Sequence, residues 1–378
     1  MPGILIVGDT CPIGRNEPLF RQGDAEGLLG DLRPEFEAAD LVIANLECPL
    51  IERETPIAKC GPNLGTPLDC VKGLTAMGVD VAGLANNHIM DHGPRGLRST
   101  ISALKEQGID YVGAGDDLAE ARRILIRELD GVRVGVLAVA EHEFGMAKKT
   151  TPGANPLDII DAVRNISEHR GEFDYLIVLL HGGNEHYPYP RPSLMDTCRF
   201  LVEHGASAVM CQHSHCVGCV ETYRGALIVY GQGNFLFDRL SKASNWHEGA
   251  LIFLPASQEL TFGVRLTPYR QSDDRSGARR LTSDQEKSFL REFDSRSKAI
   301  GDESFVTRQW EAFCQRNKRR YLHNLHGKPG ILRRLAGKLD LLHYLDSATV
   351  QRSRLNMIRC DSHREALLTV LAREADGK

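Results

Sequence analysis

A large excess of charge of one sign is missing from this chain. Its 46 Lys and Arg residues nearly balance 50 Asp and Glu, which gives no global pull towards nucleic acid or an anionic membrane. Long apolar runs are missing too. No stretch of the sequence approaches the roughly 20 residues that span a bilayer. Met1-Pro2-Gly3 leads straight into a short apolar run, without the basic and apolar regions of a secretory leader. There is no internal repeat and no low-complexity tract. Ten cysteines are scattered at irregular spacing through 378 residues, which argues for free thiols rather than a disulfide framework. Together these absences predict a cytoplasmic protein with no transmembrane segment and no nucleic-acid partner. What is present, 42% hydrophobic and 25% charged residues, is ordinary for a globular chain. The length suggests two or three units, or one large domain with an appendage.

The first two-thirds of the chain repeat one pattern: a short apolar run ends, and a metal-capable residue follows. Residues 4–7 lead into Gly8-Asp9, and 41–44 into Asn45-Leu46-Glu47. Residues 79–84 lead into Ala85-Asn86-Asn87-His88, 175–180 into His181-Gly182-Gly183, and 208–211 into Gln212-His213-Ser214-His215. Runs this short and rich in Val, Ile and Leu read as buried strands of a largely parallel sheet. Ligands of open α/β sheets bind at the carboxyl ends of the strands. The pattern therefore predicts one rim bearing two carboxylates, several carboxamides and four histidines.

Between these runs the sequence predicts helices over 24–39, 69–77, 96–107, 156–169 and 192–204. Asp130-Gly131, between two apolar stretches, predicts a hairpin, so the sheet is not purely parallel. Strands over 249–254 and 260–267 complete a unit of residues 1–270. The polar stretch 271–283 reads as a linker. Residues 284–378 lack strand patterning and read as a helical appendage. Its middle is basic, with Arg316, Lys318, Arg319, Arg320, Lys328, Arg333, Arg334 and Lys338.

The residue types carry chemistry. Two histidines at i and i+2 on a loop suit two different ions better than one. The Asn87 carboxamide is a neutral ligand, and His88 beside it can protonate a leaving group. His181 supplies another imidazole, and Asp9 and Glu47 supply negative charge. Two ions ~3.5–4 Å apart activate water and polarise a phosphoryl or acyl oxygen. Mixed nitrogen and oxygen ligation suits Mn, Fe or Zn. Each residue alone has a plainer reading: Asp9 as a turn cap, Asn86 and Asn87 as turn formers, His181 as a hydrogen-bonded strand end. Their company favours a shared site. Cys216-Val217-Gly218-Cys219 lacks the two further ligands of a zinc site and reads as two unrelated core cysteines. The stiff loop Tyr187-Pro188-Tyr189-Pro190-Arg191-Pro192 either walls a substrate pocket, with Arg191 meeting an anion, or simply connects to the next helix.

The order Gly-Asp, Asn-x-Glu, Asn-Asn-His, His-Gly-x-x-Glu, x-His-x-His and Gly-Asn-Phe resembles the CapA family of poly-γ-glutamate and capsule synthesis proteins. That family is similar to calcineurin-like metallophosphoesterases. The resemblance covers residues 4 to about 267. It implies an α/β fold, a metallophosphoesterase-like αββα sandwich with mixed sheets, here followed by the helical C-terminal segment. It implies Asp9 and His215 at a first metal, Asn87, His181 and His213 at a second, and Glu47 near the bridging position. His88 and Glu185 take catalytic roles, and Asn45, Arg191 and Asn234 take substrate-binding roles. Asp9-Thr10-Cys11 departs from the phosphoesterase Asp-x-His, and Asn45-Leu46-Glu47 from its Gly-Asp-x-x-Asp. Gly182 stands where Trp is frequent, and Gln212 where Gly is usual. The implied function is a two-metal hydrolase or acyl-transfer enzyme acting on an anionic small molecule or polymer, a phosphoester or a glutamyl-type amide. The alternative is a non-catalytic capsule-polymer binding or scaffold protein. In either case the basic helices offer a face to a biosynthetic partner protein.

Overall fold

The computed structural model describes residues 2–239, 244–256, 264–326 and 347–375. The apolar runs form two mixed sheets. The first runs Ala278–Arg280, Arg265–Gln271, Glu248–Pro255, Gly3–Cys11, Leu41–Leu46, Val81–Gly83, Asp110–Val112. Asn234–Phe237 pairs alongside the end of Gly3–Cys11. The second runs Val217–Tyr223, Ala226–Gln232, Ala208–Gln212, Tyr175–His181, Val132–Ala140, Leu125–Leu129. In the second sheet parallel pairs lie at the heart and antiparallel pairs at both edges. In the first, parallel pairs run from Gly3–Cys11 to the Asp110–Val112 edge and antiparallel pairs from Gly3–Cys11 to the Ala278–Arg280 edge. The Asp130-Gly131 hairpin forms as its sequence predicts. Both residues adopt positive φ, 48° and 80°, the conformation that a two-residue turn between twisted strands requires.

Alternation along the strands explains the layers. Ile4, Ile6 and Ile43 meet Val134, Val136, Ile177 and Met210 between the sheets. Leu5, Val7 and Val42 point the other way, towards Phe20, Leu74 and Leu104 of the helices outside the first sheet. Val139, Val178 and Leu180 likewise face Ile166, Leu194 and Leu201 outside the second. Strands buried on both faces read as unbroken apolar runs, and the result is an αββα sandwich with mixed sheets.

The carboxyl-terminal part differs from the sequence reading. The stretch 271–283 is not an extended linker. Gln271 and Ser272 are buried, and Ala278–Arg280 pairs with Arg265–Gln271 as an edge strand. Its polarity is satisfied inwards. Gln271 accepts from the Phe237 amide at 3.0 Å, and Asn16 Oδ1 accepts from the Gly277 amide at 2.8 Å. The strand expected over 260–267 is observed as Arg265–Gln271, and residues 260–263 lie outside the described residues.

The helices Ser283–Ala299, Glu303–His326, Ala348–Arg359 and Asp361–Ala375 follow. Phe289 and Phe293 enter the core between the sheets. Trp310, Phe313, Cys314 and Tyr321 gather with Met357, Ala366 and Val370 around Tyr187. The helices therefore sit on the rim loop. Of the basic cluster, Lys328, Arg333, Arg334 and Lys338 lie outside the described residues. Among the described residues no helix is long and apolar enough to cross a membrane.

Candidate metal centre

Parallel pairing brings the strand ends level. Asp9 lies opposite Asn45, Asn45 opposite Gly83, and His181 opposite Gln212. The six expected ligands thus reach one place from five segments of chain. None of Asp9, Glu47, Asn87, His181, His213 and His215 is more than 8% exposed.

They fall into two groups that share Glu47: Asp9, Glu47 and His215, and Glu47, His181 and His213. Within each group the ligand atoms lie within 4.8 Å of one another. His181 Nε2 stands 3.6 Å from Glu47 Oε1, 3.2 Å from His213 Nδ1 and 3.0 Å from Asn87 Oδ1. Tetrahedral ligands about 2.1 Å from one centre lie about 3.4 Å apart, so this set suits a single ion. In the other group His215 Nε2 is 3.7 Å from Glu47 Oε1, and its Nδ1 is 3.5 Å from Asp9 Oδ2. His213 and His215 go to different groups, the division that their spacing predicts. Both residues hold positive φ, 89° and 53°, a sparsely populated backbone region for residues with a side chain.

Both Glu47 carboxylate oxygens are buried without a hydrogen-bond partner. Orphaned buried acceptors cost roughly 1–3 kcal/mol, more when charged, and a bridging cation removes that cost. Electrostatics agree. Burial, reinforced by Asp9, pushes the Glu47 carboxyl well above its ordinary range. Burial also works against Asp9, yet His215 and His181 bring it down to about 2. Against burial, Glu47 and Asp9 raise His215 to about 10. Burial and His213 push His181 well below 6.5, keeping it in the neutral form that binds metals. Two carboxylates, three imidazoles and a carboxamide oxygen are a donor set that fits divalent Mn, Fe or Zn, with ion binding displacing the protons that Glu47 and His215 otherwise hold.

The carboxamides expected at the substrate do other work. Asn45 Nδ2 donates to Asp9 Oδ1 at 2.8 Å and lies 3.3 Å from His181 Nδ1. Asn234 Oδ1 meets His215 Nδ1 at 2.8 Å, and its amide donates to the Trp246 carbonyl at 3.1 Å. Both side chains are buried and orient ligands, leaving His215 Nε2 as the free nitrogen. Arg191 does not reach the cleft either: its guanidinium is buried in ion pairs with Glu141 and Glu365. Cys11, at the position of the phosphoesterase histidine, is buried among core residues. Burial and Cys48 raise its thiol well above the ordinary value. The same burial raises Cys216 to about 12.

A cleft of about 330 Å³ opens beside the centre, lined by Lys59, Asn87, His88, Glu185, Arg320 and His363 among others. Burial opposes ionisation of Glu185, but His215 and His213 hold it down at about 2. Arg320 Nη2 approaches Glu185 at 3.9 Å. His88 Nδ1 lies 2.7 Å from Asp91 Oδ2, and Asp91 also pairs with Lys59. Asn87 Nδ2 donates to Glu143 Oε2 at 2.7 Å. Sequence reading misses Asp91, Lys59 and Glu143. The i, i+3 spacing from His88 is a signal for Asp91, whereas Lys59 and Glu143 sit in loops without a motif.

The PGA biosynthesis protein CapA of Bacillus subtilis (strain 168) is 32% identical over 238 residues, 62% of this chain and 62% of that protein. The capsule biosynthesis protein CapA of Bacillus anthracis is 31% identical over 244 residues, 62% of this chain and 59% of that one. The chain thus spans about three-fifths of the length of these curated relatives. A solved 5'-nucleotidase precursor from Thermus thermophilus aligns with a TM-score of 0.42 at 13% identity, covering 78% of this chain and 58% of that one. The sequence profile of the bacterial capsule synthesis protein PGA_cap matches residues 3–239, and the chain belongs to that family.

Proposed function

We propose that this protein is a metal-dependent hydrolase or acyl-transfer enzyme of capsule or poly-γ-glutamate biosynthesis. Its substrate is anionic, a phosphoester or a glutamyl-type amide. The observation that carries this reading is the buried, unpartnered Glu47 carboxylate shared by two ligand groups. Asp9 and His215 would hold one divalent ion, and His181, His213 and Asn87 the other, with Glu47 common to both. When bound, such ions supply Lewis acidity and lower the pKa of water.

The chain's own residues do the rest. Asp91 engages His88 at Nδ1, which leaves Nε2 as the nitrogen that transfers a proton at the leaving group. Burial lowers the His88 pKa below 6.5 against the pull of Asp91, so the imidazolium that carries the Nε2 proton is a stronger acid than a free one. Lys59 pairs with Asp91 and lies 3.3 Å from His88 Nδ1. Glu185 and Arg320 frame the mouth of the cleft, where Arg320 offers charge to an anion.

The test is turnover by protein reconstituted with Mn, Fe or Zn, screened against phosphoesters and γ-glutamyl amides. We expect metal-dependent turnover. Glu47→Gln should lose both bound metal and activity. His88→Asn should keep its metal and lose kcat by ~10²–10⁴-fold. Polymer binding that survives chelation, with no turnover under any metal, would establish the scaffold reading instead.

A further inference from the structure

The corner between the last two helices carries a ligand set that the catalytic reading leaves unused. Ala348–Arg359 ends at Cys360, and Asp361–Ala375 begins at the next residue. Cys360 and His363 therefore stand three positions apart at one turn. Glu143, in the loop after Val132–Ala140, meets them there. Its carboxylate, the Cys360 thiol and a His363 ring nitrogen lie within 4.8 Å of one another. One thiolate, one imidazole and one carboxylate form a donor set that zinc-class ions favour.

A second observation points to the same place. Asn356 is 7% exposed, and its amide nitrogen lies 3.2 Å from Glu143 Oε1 and 3.4 Å from His363 Nδ1. Its buried Oδ1 has no hydrogen-bond partner. A half-turn of the carboxamide exchanges the two atoms. The orphaned oxygen then faces the cluster as a fourth donor, which is favourable only with a cation between it and the carboxylate.

We propose that Glu143, Cys360 and His363, with Asn356 as fourth donor, bind a zinc-class divalent ion that fastens the C-terminal helices to the rim of the cleft. On binding, the Cys360 thiol gives its proton to solvent and its sulfur bonds the ion, with no change of oxidation state. Glu143 also accepts from Asn87, so the fastening ion fixes the residue that orients one ligand of the main centre. The proposal does not depend on the catalytic reading, because no cysteine belongs to the groups around Glu47.

Cobalt titration of the full chain tests it. A near-ultraviolet thiolate-to-cobalt charge-transfer band should appear at one equivalent. It should persist in Asp9→Ala, where the main centre is disabled, and vanish in Cys360→Ser. His363→Asn should weaken cobalt affinity at least tenfold by the same band, and it carries the test if the serine variant does not fold. A folded wild-type chain without a thiolate band, or a band unchanged in Cys360→Ser, would overturn the proposal.

Discussion

Glu47 lies at the centre of the candidate site, and Asp91 lies behind His88, the proposed proton-transfer group. The Asp91 carboxylate touches no ligand of the metal centre; it touches His88 Nδ1, the Lys59 ammonium and the Leu64 amide, the last at 2.6 Å. Asp91→Asn removes the charge that orients His88 and leaves Lys59 buried without its partner. The expected outcome is a fall in kcat of ~10²-fold or more with unchanged metal content, measured by turnover and elemental analysis of the same preparations. The ligand positions were legible in the sequence because each follows an apolar run, and a strand end is a place as well as a pattern. The roles of Asn45 and Asn234 were not. A carboxamide reads the same whether it faces a substrate or holds a neighbouring imidazole. Arg191 was illegible for another reason: its partner Glu365 lies 174 positions further on, and no local signal records the pairing.

At the scale of elements, the C-terminal helices are held to the sandwich by a few identifiable contacts. Trp310 packs against Tyr187 of the rim loop with ring centroids 5.9 Å apart and ties its own helix to the last one by donating to Thr369 at 3.2 Å. Trp310→Ala should cost about 3–5 kcal/mol of local stability, read as faster amide exchange in Glu303–His326 and the Tyr187 loop while the strands stay protected. A second contact is pH-dependent. Asp361, by its hydrogen bond and charge, raises His142 above its ordinary 6.5. Burial works the other way on Asp361, but His142 and Arg364 hold it below 3.8. The histidine contribution is therefore complete below pH 6.5 and is lost as pH rises through its elevated folded value. The aspartate contribution is present above 3.8 and is lost as pH falls through its lowered one. Between those limits the contact is whole. The pair is partly exposed, so at most about 1 kcal/mol is at stake. His142→Gln should flatten the alkaline limb of stability against pH, measured by thermal melts. The strands were legible from periodicity, and the sandwich only from the family resemblance. The 271–283 segment was not, because a polar stretch turned inwards has the composition of a linker.

For the whole molecule, ion binding and folding are linked. A buried carboxylate without partners destabilises the folded chain, and an ion at 100 times its dissociation constant adds ~2.7 kcal/mol per site. Chelation should therefore lower the melting temperature of the wild type, and lower it less in Glu47→Gln, which keeps only the ion proposed at Glu143, Cys360 and His363. The topology has a further consequence for the order of events during synthesis. Asp9 is made well before the His213 amide that binds its carboxylate, which comes 204 positions later. The strand Asn234–Phe237, which pairs beside it, comes later still. At ~5–20 residues per second, the ribosome needs roughly 10–40 s to cover that distance. During this interval the nascent chain holds an unfinished sheet and half a ligand set. The ligand set of the main centre is therefore complete only after most of the sandwich has been made.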